Sequence, residues 1–294
     1  MALENMSHAK ISEHINPRLT PRLFSSLTRR LGYLSRSAEA HSYANSMLAP
    51  DGEFEKYIAD LPITKNPAYN NCFIFISNIA PIAPSETIQF LKRMYERDSI
   101  FCTRDNPAFI TITRLLRSLA YESRYFNDCA SMLYLFSLSE SKGDNNNSVL
   151  HILCSLFSAH LSGTHATVDQ RISFIKENIE NPRRDINIKL IKSLLQTDNF
   201  VSHLGFDFGS SVRDYGYYPE SYDEHEKWYL GVLNFINETA GRRPYWQSEM
   251  VKILTSHLNG LWKIRISSVR HALYDIIIKT WITEHLLMCG VLCL

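Results

Sequence analysis

The chain is expected to be all-α: a HEAT- or armadillo-like helical-repeat array, an α-solenoid, broken by one long aromatic loop. Three observations predict this. Apolar residues recur at three- and four-residue spacing through most of the 294 residues. Glycine and proline number only 11 each, too few to favour an all-β sandwich or a Gly-rich nucleotide fold. Helix starts recur about every 20 residues, so helix pairs recur about every 40, near the HEAT and armadillo period. One hairpin cannot bury its apolar face alone, so neighbours must stack.

Met1 to Pro17 is polar and weakly patterned. Arg22 to Leu48 reads as a helix with Leu23, Leu27, Leu31 and Leu34 on one face, made basic by Arg22, Arg29, Arg30 and Arg36. Pro50-Asp51-Gly52 is a turn, followed by a short helix over Glu53 to Asp60. Asn71 to Ile79 (NCFIFISNI) could pass for a strand, but it has no companion strands and is expected to be a buried helix. Ser85 starts a helix with Ile88, Leu91 and Tyr95 inward. Asn106-Pro107 starts the next, with Phe109, Ile112, Leu116 and Leu119 as its stripe. Another covers Tyr125 to Ser141, and Gly143 to Asn147 is a polar loop.

Ser148 is expected to open a helix running through Leu161, stopped by Ser162-Gly163-Thr164. Thr167 to Gln170 (TVDQ) is a capping box for a helix to Ile179, and Asp185 to Gln196 is helical again after Asn181-Pro182. Ser221 to Glu224 (SYDE) is a second capping box, opening a helix over Tyr222 to Glu238. Pro244 opens a further helix, and Val269 to Thr280 a last one. The organisation expected is a basic helical segment at 1–50, the repeat array at 51–200, the aromatic loop with closing helices at 201–280, and an apolar tail at 281–294.

Composition narrows the function classes. The net charge is +1, from 31 basic and 30 acidic side chains, which supplies no global attraction to nucleic acid or membrane. No run approaches the ~18 apolar residues a membrane span needs. The six cysteines form no CxxC, and Cys72, Cys102, Cys129 and Cys154 lie among apolar residues as buried thiols would. With no signal-peptide pattern, a cytoplasmic, reducing setting is expected.

The candidate binding residues are Arg213, Asp214, Tyr215, Tyr217 and Tyr218, within the stretch FDFGSSVRDYGYYP from Phe206 to Pro219. Tyrosine and arginine dominate interface hot spots. The plainer alternative is that the aromatics staple the loop to helices while Arg213 pairs with an acid elsewhere. No catalytic residue, metal ligand or cofactor is expected. There is no GxxxxGK[ST], GxGxxG or GxSxG, and His225-Glu226 lacks the second histidine of HExxH. His151 and His160, nine residues apart on one expected helix, would point to opposite faces, about 180° apart. His165 and Asp169 read as capping.

Three stretches carry a resemblance: Leu115 to Glu140 (LLRSLAYESRYFNDCASMLYLFSLSE), Leu156 to Ile175 (LFSAHLSGTHATVDQRISFI) and Phe206 to Tyr229 (FDFGSSVRDYGYYPESYDEHEKWY). Together they resemble the C-terminal helical-repeat region of large bacterial multidomain NTPases of the signal-transduction type, some linked to anti-phage defence. The similarity spans Asp51 to Trp262. It implies a sensing or scaffolding module whose partner is a protein or an NTPase domain. The P-loop and effector of that plan are missing here, so no catalytic residue carries over. On this resemblance the chain is expected to be a fragment or partner of a larger NTPase, and the tail after Thr280 fits a frameshifted end. Two further readings stay open: an enzyme with dispersed residues near the 203–214 loop (His203, Arg213, Asp214), and a nucleic-acid binder using Arg22, Arg29, Arg30 and Arg36 with Arg183 and Arg184.

Overall fold

Among its described residues the computed structural model is all-α apart from a two-stranded ladder. It describes Ser26 and residues 29–30, 32–34, 37–63, 66–140, 148–197, 207–242 and 244–288. The chain divides into two compact units. The first is Met1–Ile152 with Leu204–Asp214; the second is Leu153–His203 with Tyr215–Leu294.

The first unit includes α1 (Ala38–Leu48) and α2 (Glu53–Ala59). The expected unbroken helix from Arg22 to Leu48 is interrupted, because Ser37 caps α1 by accepting from Ala40 N. Arg22, Leu23, Leu27, Leu31 and Arg36 lie outside the described residues. At the turn, Asp51 rather than Gly52 adopts the left-handed conformation, with φ 56°. Aspartate tolerates that region better than most residues.

The strand-like stretch lies in α3 (Pro67–Ile79), which starts earlier than expected because Asn66 caps it from just before Pro67. Phe73, Phe75, Ile76 and Ile79 are all buried, so the uniform apolarity reflects burial on several sides of a helix. α4 (Pro84–Arg97) buries Thr87, Ile88, Phe90, Leu91 and Met94. Tyr95, expected inward, is exposed. α5 (Phe109–Leu119) and α6 (Ser123–Leu138) follow. α3 packs on α5, α4 on α6, and α5 on α6. Phe73, Phe101, Phe136 and Phe109 form a continuous aromatic run, with successive centroids 5.9, 5.8 and 5.1 Å apart. Each such pair adds about 1 kcal/mol beyond the area it buries. The 143–147 loop lies outside the described residues.

α7 (Val149–Ser155) is far shorter than expected. The chain leaves the helix before Phe157, and Leu161 takes φ 51°. His151 and His160 therefore do not share a helix. In the second unit, α8 (Val168–Asn178) starts at a complete Thr167/Gln170 capping box. α9 (Arg184–Leu194), α10 (Tyr222–Arg242), α11 (Pro244–Lys263) and α12 (Ser267–Met288) complete it. α8 packs on α10, α9 on α11 and α10 on α12. Trp228 is fully buried among these helices and donates Nε1–H to the Leu194 carbonyl at 3.0 Å. The Ser221/Glu224 box is also reciprocal: Glu224 N donates to Ser221 Oγ and Ser221 N to Glu224 Oε2, both at 3.2 Å. Of the expected tail, 281–288 belongs to α12 and 289–294 lies outside the described residues.

Cys72, Cys102, Cys129 and Cys154 are free thiols. Burial pushes Cys72 and Cys102 up to about 12 and Cys154 to about 11. Such thiols are poor nucleophiles. No helix among the described residues is long and apolar enough to cross a membrane.

Candidate functional site

The aromatic stretch is built differently in its two halves. In the first unit it forms a short hairpin, β1 (Asp207–Phe208) paired antiparallel with β2 (Ser211–Val212). Gly209 sits at the turn with φ 64°. Beyond the hairpin, the Arg213 guanidinium lies over the Tyr121 ring at 4.3 Å and the Phe208 ring at 4.1 Å. Its Nη1 donates to the Ser118 carbonyl. Asp214 accepts from the Tyr121 hydroxyl at 3.0 Å. Arg213 thus engages aromatic faces and a backbone carbonyl, an arrangement that ties the hairpin to the end of α5. Burial lowers its pKa to about 10, which leaves it charged at neutral pH.

The second unit holds the other three candidates. Gly163 N donates to the Tyr215 carbonyl at 2.8 Å, and Tyr217 N to the Thr164 carbonyl at 2.7 Å. This close backbone pairing needs Gly216. Its φ is 83°, and a Cβ there would stand 2.3 Å from Thr164 N. Tyr217 is half-buried, its ring stacked on Trp228 at 5.7 Å and 17°. Tyr215 and Tyr218 are exposed.

The loop opposite is held from behind by Arg171 of α8, a residue that spacing alone assigns to an ordinary helix face. Arg171 is fully buried. Its Nη1 donates to the Ser158 carbonyl at 2.6 Å and its Nη2 to Ser162 Oγ at 3.1 Å. The guanidinium carbon lies 4.9 Å from the Trp228 ring centroid. Arg171 therefore fixes the 158–164 segment, and that segment carries His160.

His160 is 7% exposed, and its centroid lies 5.0 Å from Tyr218 and 5.8 Å from His225. His225, in the first turn of α10, has its Nδ1 at 2.9 Å from the Ser221 carbonyl. The Nδ1 of His160 is buried without a hydrogen-bond partner. Burial, and then the charge on His225, hold the His160 pKa below the ordinary histidine value. Both rings line a cleft of 460 Å³ with Tyr218, Tyr222, Tyr229 and Lys263. The nearby acid Glu224 is committed to the backbone N–H groups of Glu220 and Ser221.

Of the five expected residues, Arg213 and Asp214 belong to the first unit and Tyr215, Tyr217 and Tyr218 to the second. Only Tyr218 lines the histidine cleft. Among the described residues no group of three or more His, Cys, Asp or Glu side chains is placed to hold a metal ion. No family model, curated protein or solved structure matches this chain.

Proposed function

We propose that this chain is a non-catalytic helical-repeat recognition module, a sensor or scaffold that binds another protein through the Tyr215 edge of the second unit. The observation that carries this reading is the half-exposed Tyr215 ring on a backbone pinned by two hydrogen bonds across Gly216. A rigid, exposed tyrosine offers contact area at little entropic cost. The repeat reading is supported by the packing of every second helix: α3 on α5 and α4 on α6 in one unit, α8 on α10 and α9 on α11 in the other. Stacked hairpins make such contacts. The four free thiols favour a reducing, cytoplasmic setting. The resemblance to the helical-repeat region of bacterial multidomain NTPases makes an NTPase domain the first partner to try.

The test is affinity capture with the wild type and Tyr215→Ala at matched helicity. A partner whose affinity falls about thirtyfold in the variant supports the reading, a hot-spot loss of about 2 kcal/mol. Equal affinity for both proteins would overturn it.

A further inference from the structure

We propose that the cleft bounded by His160, Tyr218, Tyr222, His225 and Lys263 binds a phosphate monoester carried on a flat ring. His160, His225 and Lys263 surround the phosphate, and Tyr218 and Tyr222 lie against the ring. This site goes beyond the protein-recognition reading and does not depend on it.

The charge pattern points to an anion. Among the described residues, three nitrogen bases line the cleft and no carboxylate does. Among the described residues, the charged and titratable groups around it come from several elements. α10 supplies Tyr222, His225 and Tyr229, with Glu224 bound to backbone N–H groups and Glu226 accepting from Ser268. α11 supplies Lys263, the 215–220 loop supplies Tyr218, and Arg171 stands behind the 158–164 segment bonded to its carbonyls. Both carboxylates are engaged in hydrogen bonds of their own, Glu224 with backbone N–H groups and Glu226 with Ser268.

The second observation is the orphaned Nδ1 of His160, on a side chain more than nine-tenths buried. Native proteins rarely leave such an atom unsatisfied without a role for it. In the empty cleft, burial and then the neighbouring His225 hold the His160 pKa below the ordinary histidine value. A bound phosphate dianion opposes both effects and favours protonated His160. Binding is therefore coupled to proton uptake.

The aromatic part sets the rest of the ligand. The Tyr229 hydroxyl is fixed by its donation to the Gln196 carbonyl at 3.2 Å. Tyr218 and Tyr222 line the cleft and are 45% and 57% exposed, which leaves aromatic surface for a planar group. A cleft of 460 Å³ suits a small organic ligand rather than a bare ion.

The experiment is calorimetric titration of the whole chain with phenyl phosphate and, separately, with inorganic phosphate. It uses wild type, His160→Gln and Lys263→Met, in two buffers of different ionisation heat at about pH 7. The expected result is phenyl phosphate binding about tenfold tighter than inorganic phosphate, weakened about fivefold or more by Lys263→Met. Net proton uptake on binding should fall in His160→Gln; uptake by the ligand itself is common to both proteins and cancels. No binding by wild type, or binding unchanged in both variants, would overturn the site. Equal affinity for the two ligands would overturn the ring assignment. Lys263 is exposed, so its variant keeps the test decisive even if His160→Gln does not fold.

Discussion

The Arg171 guanidinium stacks over Trp228, its central carbon 4.9 Å from the ring centroid, while its Nη1 holds the Ser158 carbonyl at 2.6 Å. One buried cation thus joins a helix core to the loop that carries His160. Burial lowers its pKa to about 9, so it is still protonated at neutral pH. Replacing it with Met keeps much of the volume but leaves the Ser158 carbonyl without this donor. The expected loss is about 3 kcal/mol, read as a fall of roughly 10 °C in Tm by calorimetry. An unchanged Tm would show that the loop is held by other contacts.

Gly216→Ala should be costly for a different reason. The position has φ 83°, and the added Cβ would meet Thr164 N at 2.3 Å and Thr164 O at 2.7 Å. Both contacts are to backbone, which cannot swing away. The variant should lose about 2 kcal/mol or more in urea unfolding, and the amides of Gly163 and Tyr217 should exchange faster. Unaltered exchange at both amides would contradict the pairing.

Arg213 is predicted to act on stability. Its guanidinium stacks on Tyr121 and Phe208 and bonds the Ser118 carbonyl. Arg213→Lys keeps the charge but loses the planar stacking group, so it should cost about 1 kcal/mol. Urea midpoints for wild type and the lysine variant decide this. Equal midpoints would contradict a stabilising role for the stacked guanidinium.

His160 should make stability depend on pH. Its folded pKa is held below the ordinary value by burial and by His225. As pH falls below about 6.5 the unfolded chain binds a proton that the folded chain resists, so stability falls. The contribution is fully present above that pH and is lost as pH drops toward the folded pKa. His160→Gln should flatten the slope of unfolding free energy over this window. A slope identical to wild type would mean that His160 titrates alike in both states.

Local signals in the chain were readable because they are local. Thr167 with Gln170 and Ser221 with Glu224 lie three residues apart, and both capping boxes form. The stretch from Asn71 to Ile79 shows that an apolar run alone cannot separate a strand from a buried helix; the lack of companion strands decided it. The cleft was not readable. His160 and His225 come from segments 65 positions apart, and their meeting depends on the early end of α7 at Ser155 and on Gly216. Arg171 carried no signal, because a single arginine in an amphipathic helix is ordinarily solvated. The five expected loop residues form one run in sequence, yet the structure assigns them to two units, a division no spacing rule reports.

The central claim, recognition of a protein at the Tyr215 edge, is tested most directly by site-specific photo-crosslinking. A benzophenone amino acid is placed at Tyr215 and, as a control, at Tyr274, another exposed tyrosine of the second unit. The account predicts one discrete crosslinked protein from Tyr215 that is missing from Tyr274. No adduct at Tyr215, or the same adducts from both positions, would contradict it.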